Sequence, residues 1–535
     1  MGKPKSNKYK CLTNKKLDDW EIRGVGLGGM FVLEPWITPS LFYQFLNSKN
    51  PKMIGMDMYT FCGVLGPIEG KRQLNEHFSN WVNETDFINL STRGVTHIRI
   101  PVGDWMYNPY GPYIGCTDDS LFHLDRVLKL CKKYNMKVLI DLHGVKDSQN
   151  GLDNSGMSSN IEYAVAPTNY LYDGPLTFIH WGTIAGNWIG DFDTANKSYK
   201  SINYENIEFT KKTLYKIIEM YKDNTEVFGI EPLNEPWVYT PVDLLKDFYY
   251  DIYKYMHYNS PNLKFIYHNS FRDNIWDNFL VNCSNVAIDW HIYQAWDESR
   301  YGDQFLLEAD NYVNYINNLK KKGIQTVVGE FSLATDNCAM WLNGFQDNIQ
   351  GYPITDCKYS PCPYSYIKNI TDLDRVKEIF SPFGTGLSSP RMGTCPYEGM
   401  LVIDNNQIEF LNTLNLKKLD SFSSSQGWFF WNFKTEFKDE FTWSYLESYN
   451  RNLFRGSDIQ PIPVTPLWVY AVALFVSTFI LGICFGILKK CIENFKKKNY
   501  GYVRADLPEI NETTPINRSV SDGDIKKYKY QVISV

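Results

Sequence analysis

Two acidic residues each stand just past the end of an apolar run. In residues 227–236, VFGIEPLNEP, the run Val-Phe-Gly-Ile gives way to Glu231, Asn234 and Glu235. In residues 325–332, QTVVGEFS, a second run closes on Gly329 and Glu330. Two strands that each deliver one Glu to the same end of a sheet supply what glycosidic bond cleavage needs. One carboxyl protonates the leaving oxygen, and the other stabilises or attacks the oxocarbenium-like carbon. Glu235 and Glu330 repeat one pattern at sharply punctuated strand ends and form the candidate pair. Glu231 reads as a solvated turn residue, since most exposed carboxylates have no special role.

The elements that would carry this pair follow from the rest of the pattern. Runs beginning at Ile22, His97, Met136, Val227, Lys264, Val286, Gln325 and Gly427 read as strands. Helical stretches at 87–93, 121–134, 208–222 and 312–321 lie between them. Continuous apolar strands alternating with helices imply a parallel sheet buried on both faces. Eight such units predict an α/β fold, a (β/α)8 TIM barrel whose site lies at the C-terminal strand ends. Arg99, His143, Asn234, Glu235, His291, Tyr293, Glu330 and Trp431 all fall at those ends. Residues 158–206 and 346–400 read as insertions at the barrel mouth. The glycines at 24–29 suggest a phosphate loop, but Pro35 and Pro39 interrupt any following helix and exclude a dinucleotide site.

Composition narrows the class. The 15 Trp, 37 Tyr and 32 Phe suit a carbohydrate site, because aromatic faces stack on the C–H faces of sugar rings. The net charge of -6 argues against nucleic acid as a partner. None of the 11 Cys forms a C-x-x-C pair, so a structural zinc site is not expected, and no metal or cofactor is implied. Sequons stand at Asn83, Asn89, Asn196, Asn282 and Asn369. Residues 467–488 carry no charge and span roughly 33 Å as a helix, enough for a bilayer core. Lys489, Lys490, Lys496, Lys497 and Lys498 follow, which puts the tail in the cytoplasm. The expected organisation is a basic arm at 1–18, a catalytic domain at 19–450, a linker at 451–466, a transmembrane helix at 467–488 and a disordered tail at 489–535. The expected location is the plasma membrane or cell surface, with the catalytic domain outside. Residues 1–20 are Lys-rich without an apolar core, so no signal peptide is read there. The oligomeric state is left open.

The motifs RGVGLGGMFVLEPWITPSLF, IRIPVGDW, IDLHGVKDSQNGLDNSG, LNEP, HIYQ, VVGEFS, CAMWLNG and GWFFWNFKTE follow in order from about residue 20 to 450. Together they resemble the fungal exo-β-1,3-glucanases of glycoside hydrolase family 5. The resemblance implies a retaining double displacement on β-1,3-glucan, with Glu235 as acid/base and Glu330 as nucleophile. It further implies that Asn234 bonds the sugar 2-hydroxyl and that Arg99 and Tyr293 hold Glu330 ionised. His143 and His291 would line the glucose subsite, Trp431 would form its floor, and Glu34, Asp153 and Asn154 would bond hydroxyls. The like charge of Glu330 would help keep Glu235 protonated. Trp296 matches one half of the family's aromatic clamp, whereas Leu152 replaces the other. Gly26, Met30 and Phe331 also depart from the family's residues. One family disulfide is expected to be missing; Cys338 and Cys395 would form the other, with Cys357 and Cys362 a further candidate pair. Two other activities remain open: a β-glucanase with another linkage or an endo mode, and a non-catalytic glucan receptor.

Overall fold

The computed structural model describes residues 8–12, 20–45, 50–159, 162–165, 176–179, 186–193, 195–297, 300–337, 339, 341–342, 344–345, 405–438, 440–457 and 467–499. The chain divides into two compact units, Met1–Pro463 and Val464–Val535.

The first unit is built on a closed barrel of eight parallel strands. They are β1 (Ile22–Gly26), β2 (His97–Gly103), β3 (Lys137–Gly144), β4 (Val227–Glu231), β5 (Lys264–His268), β6 (Val286–Ile292), β7 (Thr326–Phe331) and β8 (Gly427–Phe430). Each strand pairs with the next in the chain, and β8 returns to β1. Every expected strand is present. The flanking helices are α1 (Met58–Trp81), α2 (Glu84–Thr92), α3 (Ser120–Lys133), α4 (Tyr204–Tyr221), α5 (Val242–Asn259), α6 (Gln304–Lys321), α7 (Asn405–Phe422) and α8 (Tyr445–Asn450).

Strand alternation layers the barrel. Ile22, Leu139, Ile266, Ala287, Val327 and Phe429 form one small buried cluster, separate from the large core between strands and helices. Two residues further along β3 and β6, on the same face, stand Asp141 and Asp289, and two further His143 and His291. The interior thus changes from apolar to charged toward the C-terminal strand ends, where a barrel of this kind carries its site. Strict alternation from Val327 would turn Glu330 outward. The register of β7 shifts between Val328 and Phe331, and Glu330 pairs with His291 across that irregularity.

Two disulfides join distant segments: Cys11–Cys283 and Cys62–Cys116. Neither is among the expected pairs, and Cys338, Cys357, Cys362 and Cys395 lie outside the described residues. The first disulfide falls within the expected basic arm, of which residues 8–12 are described. Residues 8–12 are held against α5, with Tyr9 Oη donating to Asp247 at 2.9 Å and Leu12 N to Tyr253 Oη at 2.9 Å. Most of the expected mouth insertions also lie outside the described residues. Within the first, two short antiparallel pairs are described, Glu162–Val165 with Leu176–Ile179 and Phe192–Asp193 with Ser198–Tyr199.

In the second unit the described residues form one helix, α9 (Leu467–Asn499), which covers the expected span at 467–488. Among the described residues no helix is long and apolar enough to cross a membrane, so the expected transmembrane helix finds no support there.

Candidate active site

Glu235 lies four residues beyond β4, with φ at +40°, a left-handed conformation that costs a non-glycine residue about 1–3 kcal/mol. Neighbouring bonds hold the turn in place. Asn234 N donates to Leu142 O at 3.0 Å, and Gln149 Nε2 donates to both His143 O and Asn234 O. Both Glu235 oxygens are engaged, Oε1 with His291 Nδ1 at 2.7 Å and Oε2 with Asn154 Nδ2 at 3.0 Å. Glu330 accepts from Arg99 Nη1 and from Tyr293 Oη, each at 2.6 Å. Its Oε2 lies 3.4 Å from the same His291 Nδ1. Those two carboxylate oxygens are therefore no more than about 6 Å apart.

Beneath the pair, Arg99 is fully buried and every guanidinium nitrogen is committed. Nε donates to Glu231 at 2.9 Å, Nη1 to Glu330, and Nη2 to Asn234 Oδ1 at 2.8 Å, with Asp141 Oδ2 3.2 Å from Nη2. Burial opposes the charge on Arg99, but Asp141, Glu231, Glu330 and Asp289 more than offset it and raise its pKa further. Glu231 is thus no solvated turn residue. It is fully buried, and burial raises its carboxyl well above the ordinary range despite Arg99.

Burial pushes the Glu235 carboxyl up, yet the hydrogen bond and positive charge of His291 overcome this and bring it to about 2. For His291, burial pushes down, while Glu330, Asp289 and the bond to Glu235 hold it well above the usual histidine value. His291 Nδ1 sits between the two acids, 2.7 Å from Glu235 and 3.4 Å from Glu330.

These groups open into a cavity of about 390 Å³. Glu34, Trp36, Asp153, Asn154, Trp296 and Trp431 line it together with His143, Tyr293 and both acids. Trp431 stacks on His143 with ring planes 8° apart and centroids at 5.5 Å. Gly26 and Gly28 seat that indole, since a Cβ at either would lie 2.5 or 2.8 Å from its ring. Glu34 Oε2 accepts from Trp36 Nε1 at 2.9 Å, while Glu34 Oε1 and Asp153 Oδ2 are buried without a partner. Burial and mutual repulsion raise the Glu34 carboxyl well above its usual range, and burial brings Asp153 to about 7. A second hollow of about 470 Å³ lies at the other end of the barrel, beside Trp20, Arg23 and Asp420, away from the paired acids.

Among the described residues, Glu235, His268 and His291, or Glu231, Asp289 and His291, stand close enough to hold a metal ion. The second group already has its cation in Arg99, 2.9 Å from Glu231 and 3.9 Å from Asp289.

The sequence pattern of the cellulases, glycosyl hydrolase family 5, matches residues 66–352. The chain belongs to glycosyl hydrolase family 5. It is 29% identical over 441 residues to the glucan 1,3-beta-glucosidase of Blumeria graminis, covering 80% of this chain and 85% of that one. It is 29% identical over 465 residues to the sporulation-specific glucan 1,3-beta-glucosidase of Saccharomyces cerevisiae, covering 84% and 89%. The solved structure of AoRut, 16% identical with a TM-score of 0.51 over 78% of this chain and 91% of that one, shares the fold. This family 5 chain is a glycosidase.

Every residue expected at the site lines the cavity or bonds a residue that does. Sequence reasoning missed Asp141, Glu231 and Asp289. A signal for the two aspartates was present: β3 and β6 both read Asp-x-His, and a period of two puts both residues on one strand face.

Proposed function

We propose that this family 5 glycosidase is a retaining glucan 1,3-β-glucosidase that releases glucose from the ends of cell-wall β-1,3-glucan. The observation that carries the reading is the single His291 nitrogen in contact with both Glu235 and Glu330. A separation of at most about 6 Å between those oxygens falls short of the roughly 6.5–9.5 Å an inverting enzyme needs for its water, and accords with roughly 5–5.5 Å for retention. The names of the curated relatives supply the linkage.

In this reading Glu330 attacks the anomeric carbon as the bond to the leaving oxygen breaks, and Glu235 protonates that oxygen. Water, deprotonated by Glu235, then hydrolyses the glucosyl ester on Glu330; a sugar hydroxyl in its place gives transglycosylation. Arg99 and Tyr293, each bonded to Glu330 at 2.6 Å, hold it aimed at the anomeric carbon. Asn234 is placed for the 2-hydroxyl, and Trp431 with His143 forms the floor. The unpartnered oxygens of Glu34 and Asp153 accept or donate to other hydroxyls, with Asn154 beside them. Trp296 supports the incoming chain. The reaction uses carboxylate chemistry throughout.

Product analysis tests this. Laminari-oligosaccharides should be shortened one glucose at a time, with cello-oligosaccharides cut far more slowly and Glu330→Gln inactive. Internal fragments would mean an endo mode, and binding without turnover would mean a receptor.

The same reading anchors the enzyme at the cell surface through 467–488, with the catalytic unit outside. Its support is the uncharged run, the lysines that follow it and two disulfides suited to an oxidising exterior. A C-terminal tag on the full chain should be protease-sensitive only after permeabilisation; cleavage on intact cells would refute this topology.

A further inference from the structure

His291 has a carboxylate at each ring nitrogen. Nδ1 faces Glu235 Oε1 at 2.7 Å, and Nε2 faces Asp289 Oδ2 at 3.2 Å. A neutral imidazole has one N–H and one lone pair, so with both carboxylates ionised it would aim the lone pair at an anion. A proton on Asp289 would avoid this, but Arg99 Nη2 lies 3.9 Å from Asp289 Oδ2 and favours the ionised aspartate. Two arrangements remain: a doubly protonated ring, or a proton passed from Nδ1 to Glu235. Both require the hydrogen on Nε2, and Asp289 accepts it.

Asp289 is itself fixed. It is fully buried, and its Oδ1 accepts from Gly329 N at 2.6 Å, the amide of the residue just before Glu330. Gly329 permits this approach, because a Cβ there would lie 2.0 Å from Asp289 Oδ2. One aspartate thus ties the strand of one acid to the imidazole that bonds the other.

We infer that Asp289 is a positioning residue that holds His291 as the proton store for Glu235. This rests on the reading of Glu235 as the acid. In the first step the proton leaves His291 Nδ1, reaches Glu235 Oε1, and passes to the leaving oxygen. Glu235 ends ionised and His291 neutral, with Nε2–H still on Asp289. In the second step Glu235 takes a proton from water and returns it to Nδ1. The groups facing the relay are Arg99 from β2, Asp141 and His143 from β3, Glu231 from β4, His268 from β5, Tyr293 beyond β6 and Glu330 from β7. Burial lowers His268 to about 3, so it does not compete for the proton.

The test is Asp289→Asn in the full chain. The amide can keep the Gly329 contact only by turning its NH2 toward Nε2, which forces the other His291 tautomer. General acid assistance is worth about 10²–10⁴-fold. The kcat/KM for laminaribiose, whose sugar leaving group is poor, should therefore fall about 100-fold or more, and that for 2,4-dinitrophenyl β-glucoside, whose departure needs no acid, less than about tenfold. Equal falls on both would overturn the relay. A wild type inactive on both substrates would remove the functional reading itself. Should the variant fail to fold, the wild-type ¹⁵N-histidine spectrum decides. Of the eight histidines, one should stay doubly protonated at pH 8; eight neutral rings would overturn the proposal.

Discussion

Arg99 Nη1 lies 2.6 Å from Glu330 Oε1, and the arginine is fully buried. The same guanidinium bonds Glu231 and Asn234, so it aligns three elements at once. Arg99→Met would strand several buried acids, and breaking such a pair costs about 3–5 kcal/mol. Arg99→Lys keeps the charge but loses the planar fork. Thermal melts should show the Met variant strongly destabilised. The Lys variant should remain folded, with kcat/KM lowered about 100-fold.

The Glu235–His291 pair makes stability depend on pH with a definite sign. Glu235 is depressed from 4.5 to about 2, so its contribution is complete above pH 4.5 and lost as pH falls toward 2. His291 is raised above 6.5, so its contribution is complete below pH 6.5 and lost as pH rises through the folded value. The melting-temperature advantage of wild type over Glu235→Gln should be widest between pH 4.5 and 6.5 and should narrow on either side.

Gly26 makes room for the Trp431 ring. A Cβ there would sit 2.5 Å from Trp431 Cε3. Gly26→Ala should cost about 1–3 kcal/mol through overpacking. Because the displaced ring is the proposed sugar floor, KM for laminaribiose should rise several-fold while the far-ultraviolet spectrum stays native. An unchanged KM would separate Trp431 from binding.

Cys11–Cys283 closes a sequence separation of 272 residues, and neither cysteine lines the cavity of the acids. Cys11→Ser should lower stability by about 2–5 kcal/mol, measured by denaturant melts, and leave kcat at moderate temperature near wild type.

The barrel is legible in the sequence because each strand is an apolar run closed by a polar residue. The helix α1 is not, since Gly66 and Pro67 break its pattern; Gly66 has a φ of +71° inside it. Glu235 and Glu330 are legible from their repeated setting. Glu231 is not, because a carboxylate after an apolar run looks solvated until Arg99, 132 residues away, is brought beside it. The inferred proton store at His291 is equally hidden, since three carboxylates, one just beyond β4 and one each from β6 and β7, meet one ring only in the fold. The pairing of Cys11 with Cys283 has no local signature at all.

The central claim is that Glu330 is the nucleophile and Glu235 the acid/base, facing one sugar. Incubation with 2,4-dinitrophenyl 2-deoxy-2-fluoro-β-glucoside, followed by peptide mapping, tests it most directly. The account predicts one fluoroglucosyl group per chain, bonded to Glu330, and slow recovery of activity as water releases it. A label on another residue, or time-dependent inactivation without a label, would contradict it.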